Sequence, residues 1–219
     1  MFGNLFGNRN NEPQSRHPGL PIPLNLRPGA MIQFDAILSR VLGAMGKYTL
    51  EFPEPGKMHK VQSQGECDLG QGAKLSRFYL LDDYWLQVKW SGGTAGADIT
   101  PDELHLFGFG DVFTPATQQE FEDFAAGFGL ASFSYDDKVW DRVWSPGSRK
   151  AAAAEYSEKV HPLDDAAYRT QHQDMLYARE VPGGREEFLL VSIETGENGD
   201  VNVVHSVGIP LNVSDFQVT

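Results

Sequence analysis

The stretch GECDLGQGAKLSRFYLLDDYWLQVKW, residues 65–90, decides the fold class of this chain. Apolar and polar side chains alternate along YWLQVKW, and LSRFYLL is similarly dense in β-forming residues, which is typical of strands. The pair Asp82-Asp83 between these two runs predicts a tight hairpin turn. The stretch therefore predicts paired antiparallel strands, and it carries no group poised for catalysis.

Working outward, further short runs bounded by Gly, Pro or Asp predict more strands. These runs lie at 31–35, 48–52, 60–67, 104–109, 139–144, 175–181, 187–194, 201–207 and 211–218. Helices are predicted over 34–42, where apolar residues recur at helical spacing, and after a Thr117–Glu120 capping box. Residues 151–156 have the composition of a third helix, and 164–173 form a helical turn or a long loop. The predicted fold class is α+β and β-rich, with antiparallel meander sheets and two or three short helices.

The chain divides into a tail and a folded body. Residues 1–19 are rich in Asn, Gly, Pro and Arg and are expected to lack fixed structure. The body is either two β-rich lobes, 20–130 with two helices and 131–219, or one continuous domain, 20–219. The runs at 75–109 and 174–207 each predict three consecutive strands in the same order. Either a duplication into two similar lobes or the ordinary pattern of a meander explains this similarity.

The composition is acidic. The chain has 18 Lys and Arg against 30 Asp and Glu, a net charge of −12. Three arginines and one glutamate give residues 1–30 a charge of +2, so the remainder carries −14. Such a body repels phosphate backbones and argues against nucleic acid as a partner. It suits a cationic partner, such as a basic protein surface or a polyamine, or it serves solubility alone.

Cysteine content and hydropathy predict a cytoplasmic location. Cys67 is the one cysteine, so an internal disulfide is excluded and a reducing compartment is expected. No run approaches the roughly 18 apolar residues that a membrane span needs. The N-terminal stretch lacks the basic start and apolar run of a signal peptide.

Motifs of known chemistry are missing from the sequence. It has no nucleophile elbow, phosphate loop, dinucleotide fingerprint, zinc-protease motif or paired CxxC. Glu66 and Asp68 flank Cys67 and raise the expected pKa of its thiol, which leaves the sulfur unreactive. We expect no catalytic residues, no metal and no cofactor. An enzyme with an unfamiliar site, built from residues such as His105, Asp111 and Glu66, stays open, and a cleft ringed by histidines and carboxylates from distant parts of the chain would contradict the expectation.

Aromatic side chains are the remaining candidates for a binding surface. Trp85 and Trp90 point to opposite faces of one predicted strand, so one of them is expected to be exposed or covered by another element. Exposed tryptophans are good anchors for a protein partner. The candidate partner-binding residues are Tyr84, Trp85, Trp90, Trp140 and Trp144.

The segments GECDLG, LSRFYLLDDYWLQV, DRVW and LYAREV…EEFLLVSIE…VGIPL together resemble the YjfK-like family of uncharacterised bacterial proteins. The resemblance runs from about Leu20 to the C-terminus and brings no catalytic residues with it. Genes of this family often lie beside those for phage-shock protein A-like membrane-coat proteins, small membrane proteins and ATP-grasp ligases similar to glutathionylspermidine synthetase. The resemblance therefore implies an accessory role in envelope stress, with a phage-shock protein A-like, membrane-associated protein as partner.

Three hypotheses of function follow. The first is a cytoplasmic, non-enzymatic protein-interaction module that uses an exposed strand edge or an aromatic sheet face. The second is a binder of a cationic small molecule such as a polyamine, and the third is an enzyme with an unrecognised site. The sequence decides neither the partner nor the oligomeric state.

Overall fold

The computed structural model describes residues 19–36, 38, 40, 47–92 and 99–219. Within them lie twelve strands and the α-helix α1, together with short 3-10 turns at Pro23–Asn25 and Val213–Asp215. The elements are, in chain order, β1 Met31–Phe34, β2 Met58–Gly70, β3 Ala73–Leu80, β4 Tyr84–Ser91, β5 Glu103–Phe113, α1 Gln118–Gly127, β6 Ser132–Tyr135, β7 Lys138–Arg142, β8 Ala154–Pro162, β9 Tyr168–Val181, β10 Arg185–Gly196, β11 Val201–Pro210 and β12 Phe216–Val218.

Eight of these strands close into an antiparallel barrel. The order around the ring is β2-β3-β4-β5-β11-β10-β9-β8, and β8 pairs back to β2. Strands β1 and β12 extend the sheet outward from β2, and β7 and β6 extend it from β9. Closure leaves the eight ring strands without a free edge, since each has a neighbour on both sides.

Both halves of the chain contribute to this ring. β5 pairs with β11 and β2 pairs with β8, so residues 20–130 and 131–219 are joined at two seams. Each strand trio forms a meander, β3-β4-β5 and β9-β10-β11, and the two meet through their third strands. The β-rich antiparallel prediction is confirmed. The two lobes of the fold-class prediction are replaced by a shared barrel, because the trios pair with each other.

Much of the outer face of the barrel is apolar and covered, while parts of β8 and β9 stay exposed to solvent. Leu86, Leu106 and Val191 belong to one large buried cluster that also takes in Leu26, Ile32 and other residues outside the ring. Helix α1 and the β6–β7 hairpin pack on this outer face, where aromatic rings from both contact the wall. Most of the apolar core therefore lies between the wall and its cover, which leaves the inner face free to carry polar groups.

Helix α1 begins where the capping box predicts. The side chain of Thr117 accepts a hydrogen bond from the backbone N–H of Glu120 at 3.2 Å, and Glu120 Oε2 accepts one from the N–H of Ala116 at 2.7 Å. No residue of the helix is fully buried, but Phe121 and Phe124 pack against the core. The helix covers the barrel with its aromatic face.

Three local predictions fail where tertiary pairing overrides propensity. Residues 48–52 form no strand, since the N–H groups of Thr49 and Leu50 donate to the buried carboxylate of Glu187 at 2.7 and 2.8 Å. Much of the predicted helix at 151–156 lies in β8, which is held between β2 and β9. The predicted helical turn or loop at 164–173 includes the start of β9.

Two further findings complete the fold. The helix predicted over 34–42 falls largely outside the described residues. No helix among the described residues has the length and apolar character needed to cross a bilayer.

Candidate functional site

The inside of the ring, here called the lumen, holds a half-open cavity of about 310 Å³. Tyr168 and Phe109 at its rim are 47% and 41% exposed, whereas Arg77 at its base is 3% exposed. The cavity therefore opens to solvent at one end. Every ring strand lines it, with Ser63 from β2, Arg77 from β3, Trp85 from β4, Phe109 from β5, Glu158 from β8, His172 from β9, Glu194 from β10 and Ser206 from β11.

Strand alternation places these side chains inside. Arg77 lies opposite Gln87 and Tyr79 lies opposite Trp85 across the β3–β4 pair, so all four share a face. The residues between them, such as Phe78, point to the covered outer face and join the apolar core. Both faces of this part of the wall are thus buried, which allows one of them to be polar.

Arg77 organises a set of buried polar residues that we call the floor cluster, namely Arg77, Tyr156, Glu158, His172 and Asp174. Its Nη1 donates to Glu158 Oε2 at 3.1 Å, and its Nη2 donates to Asp174 Oδ2 at 3.2 Å. Nη2 also contacts the Tyr156 hydroxyl, which donates to Asp174. A planar guanidinium with several donors suits such a network, because buried charges require partners.

His172 completes the floor cluster as a second cation. Its Nε2 lies 2.9 Å from Glu158 Oε2, its Nδ1 lies 3.7 Å from Asp174 Oδ1, and its ring stacks on Tyr156 at 5.2 Å. Neither ring nitrogen makes a well-aligned hydrogen bond, so the contacts are chiefly ionic. Burial alone would lower the pKa of His172, but the two carboxylates raise it to about 9. The imidazole is therefore held as a cation at neutral pH.

The two carboxylates of the floor cluster stay ionised. Burial alone would raise the pKa of both acids, but the attraction of the neighbouring cations has the larger effect. The pKa of Asp174 falls to about 2, and the pKa of Glu158 is lowered by Arg77 and His172. Tyr79 donates its hydroxyl to Glu158 Oε1 at 2.8 Å. The floor cluster thus holds two positive and two negative charges in balance.

Three aromatic rings, which we call the aromatic wall, occupy the side of the lumen formed by β3, β4 and β5. They are Tyr79, Trp85 and Phe109. The Tyr79 ring lies 6.3 Å from Phe109, nearly parallel to it, and 6.0 Å from Trp85. Arg77 sits over Trp85, with its guanidinium carbon 5.0 Å from the ring centroid. The wall therefore meets the floor cluster at Trp85 and presents apolar surface above it.

Glu194 lies at the mouth, outside the balanced floor cluster. Its Oε1 is 3.8 Å from His172 Nδ1, and its side chain is 30% exposed. Burial raises the pKa of this carboxyl group, with the charges of Asp174 and Glu158 adding to the effect and those of His172 and Arg77 opposing it. Glu194 is a partly desolvated acid with room beside it.

The predicted aromatic residues are mostly inside the protein. Trp85 lines the lumen, Trp90 donates its indole N–H to Ser76 Oγ at 3.1 Å under the outer cover, and Trp140 is fully buried. Trp144 and Tyr84 are partly buried against the core. We expected one of Trp85 and Trp90 to be either exposed or covered by another element. Both are buried, Trp85 at the lumen and Trp90 under the outer cover. A partner-binding role for these residues stays a prediction.

The residues named for an unfamiliar enzyme site have separate surroundings. Glu66 accepts hydrogen bonds from the side chains of Gln64 and Ser76 on the outer face. The His105 ring packs against Phe188, with the ring centroids 5.3 Å apart. Asp111 is exposed. Cys67 is buried, and burial raises the pKa of its thiol well above the ordinary value. Among the described residues, no three His, Cys, Asp or Glu side chains are arranged to hold a metal ion.

Sequence reasoning missed the floor cluster. The lumen brings one histidine and several carboxylates together from distant parts of the chain, while the expectation that the chain has no catalytic residues stays a prediction. One signal was present: His172 and Asp174 are two residues apart and so share a face if they lie in a strand. A second signal was Arg77, a lone charge inside an apolar strand.

Comparison with known proteins gives a family and one relative. A family model described as "Protein of unknown function (DUF2491)" matches residues 1–217. The match includes residues 1–19, which we expected to lie outside the resemblance. The chain is 26% identical over 201 residues to "Uncharacterized protein YjfK" of Escherichia coli (strain K12), which covers 90% of this chain and 87% of that protein. The resemblance to a YjfK-like family is thereby confirmed. No solved structure matches the chain.

Proposed function

We propose that this chain, which belongs to the DUF2491 family, is a non-enzymatic binding protein for a small organic molecule. The family description assigns no activity, so the proposal is drawn from the lumen. The observation that carries this proposal is the half-open cavity of about 310 Å³ lined by all eight strands of the ring. Ligand sites in proteins are commonly clefts of about 300–1,000 Å³ with aromatic lining and a few placed polar groups, and the mouth of a β-barrel is a frequent location.

The chemistry of the lumen favours binding over catalysis. A general acid or base works best when its pKa lies near the working pH and when it can reach the substrate. The pKa of His172 is raised to about 9 between two carboxylates, and Glu158 is already engaged by Arg77 and Tyr79. These groups support a preformed charged floor more readily than a proton-transfer site.

A pair of matched substitutions on β9 tests this proposal. Thr170 lines the cavity, whereas its neighbour Gln171 points outward and is exposed. Replacement of Thr170 by Trp fills the mouth, and replacement of Gln171 by Trp adds the same side chain to the outer surface. We expect a screen of small metabolites by ligand-observed NMR to find compounds that bind the parent and Q171W but not T170W. Binding that T170W leaves unchanged, or no binder for the parent, would overturn the proposal.

A second candidate is the protein-interaction module expected from the sequence. The supporting observation is that β6 and β12 end the sheet and each pairs with one neighbour, so a partner strand could add there. The proposed partner is a phage-shock protein A-like, membrane-associated protein. Purified protein mixed with such a partner is expected to shift the amide resonances of β6 or β12. Unchanged amide resonances in both strands would count against this candidate.

A further inference from the structure

Among the described residues, one acid of the lumen, Glu194, has only a long ion-pair contact with a cation, His172, that also pairs with two other acids. Arg77 and His172 are matched by Glu158 and Asp174 through contacts of 3.1, 3.2 and 2.9 Å. Glu194 is the fifth charged group and the nearest cation lies 3.8 Å from it, beyond hydrogen-bonding distance. Within the described part of the chain, no hydrogen bond reaches its side chain. An ionised Glu194 therefore gives the mouth an excess negative charge.

Aromatic rings line the same cavity as this acid. They are those of Tyr79, Phe109 and Tyr168. The negative charge of Glu194 also helps to raise the pKa of both tyrosine hydroxyls, after burial and the charge of Glu158. Phe109 faces Tyr79 from the aromatic wall, and Tyr168 stands at the rim. Aromatic faces beside a carboxylate are the usual surroundings of a bound organic ammonium ion, because the ring faces attract cations.

Resting on the proposed function, we propose that the ligand of the lumen is a small organic ammonium ion, with its charged group between Glu194 and the rings of Tyr79, Phe109 and Tyr168. The alkyl part would lie along the aromatic wall. An ammonium ion supplies the hydrogen-bond donors and positive charge that Glu194 lacks. The acidic protein, with a net charge of −12, also favours the approach of cations.

An anionic ligand fits the same lumen poorly. The donors of Arg77 are already directed at Gln87, Glu158 and Asp174. Glu194 would repel a carboxylate or phosphate at the mouth. A bare metal ion is also disfavoured, because much of the surrounding surface is aromatic and hard cations require several oxygen ligands.

Three probes of similar size and different charge test the inference on the full chain: butylammonium, 1-pentanol and pentanoate. Binding is followed by calorimetry and by the indole N–H resonance of Trp85, at about 0.15 M salt to screen surface charge. We expect butylammonium to bind most tightly. The E194Q variant should bind it about tenfold more weakly, as loss of a close charge pair requires. The matched control is E155Q, which removes one negative charge from an exposed outward position on β8.

The outcomes separate the two proposals. One outcome is that pentanol or pentanoate binds in the lumen, that T170W abolishes this binding, and that butylammonium does not bind. This outcome overturns the ammonium assignment but supports the proposed binding function. Equal weakening by E194Q and E155Q overturns the assignment as well, since it marks general attraction to an acidic surface. If none of the probes or screened metabolites binds in the lumen, both proposals fail.

Discussion

The carboxylate of Glu158 lies directly over the backbone of Gly65. A Cβ atom built on Gly65 would lie 1.5 Å from Glu158 Oε1 and 2.5 Å from its carboxyl carbon. The two residues come from β2 and β8, which are paired strands far apart in sequence. Because Gly65 has no side chain, Glu158 has the space it needs to contact Arg77. The first glycine of GECDLG is therefore required for the floor cluster.

Replacement of Gly65 by Ala is expected to destabilise the protein by about 3 kcal/mol. The added methyl group displaces Glu158 and breaks its buried contact with Arg77, and loss of one partner from a buried pair costs about 3–5 kcal/mol. Urea unfolding measures the effect. Gly127→Ala at the end of α1 is the control, because a Cβ there meets nothing within 4 Å. A G65A protein as stable as G127A would contradict the packing described here.

Removal of the Arg77 charge is expected to cost about 3–5 kcal/mol of unfolding free energy, since R77M leaves Glu158 and Asp174 buried without their main cation. The triple variant R77M/E158Q/D174N should recover much of the loss by removing the stranded charges. The surface comparison is Lys89→Met, whose partner Glu103 is 50% exposed, and it should change stability by less than about 1 kcal/mol. Equal effects of R77M and K89M in urea unfolding would show that the floor cluster is not buried as described.

His172 should make stability fall as the pH rises above neutrality. Its pKa is about 9 in the folded protein against an ordinary 6.5, so folding favours the protonated ring. The stabilisation is complete below about pH 6.5 and is lost as the pH rises through about 9. We expect a drop of up to about 3 kcal/mol across that window in urea unfolding. The H172Q variant should show a flatter profile, and a parent profile as flat as that of H172Q would count against a charged His172.

Glu66 should lower stability in a different pH range. Burial raises its pKa from 4.5 to about 7 despite hydrogen bonds from Gln64 and Ser76. Folding therefore favours the protonated acid, and its contribution to stability declines as the pH rises from about 4.5 through 7. E66Q is expected to remove this decline and to be more stable than the parent above about pH 7, by up to about 3 kcal/mol. The exposed control E155Q should keep the parent profile; if E66Q keeps it too, Glu66 is not the titrating group.

Much of the wall of the barrel can be predicted from local sequence. The runs at 60–67, 75–81, 84–90, 187–194 and 201–207 alternate or concentrate β-forming residues, and each lies in a strand apart from Leu81, which follows the end of β3. Residues 151–156 mislead because alanine favours helix, while pairing with β2 and β9 holds Ala154–Pro162 extended. Ring closure also escapes prediction, since the β2–β8 and β5–β11 pairs join segments about a hundred residues apart.

The floor cluster was harder to predict than the strands of the barrel, because its residues come together only when the ring closes. Trp85 was singled out, and it lines the lumen, but its exposure could not be judged without knowing that both faces of β4 are covered. Arg77 and Glu158 are ordinary charged residues in sequence. Their burial follows from contacts across the lumen, which no local pattern encodes.

The most direct test of ligand binding in the lumen is an NMR measurement of contacts between bound butylammonium and the protein. We predict intermolecular proton contacts from the alkyl chain to the rings of Tyr79, Phe109 and Tyr168, and their disappearance in T170W. Contacts confined to acidic surface residues, with none inside the barrel, would contradict the account.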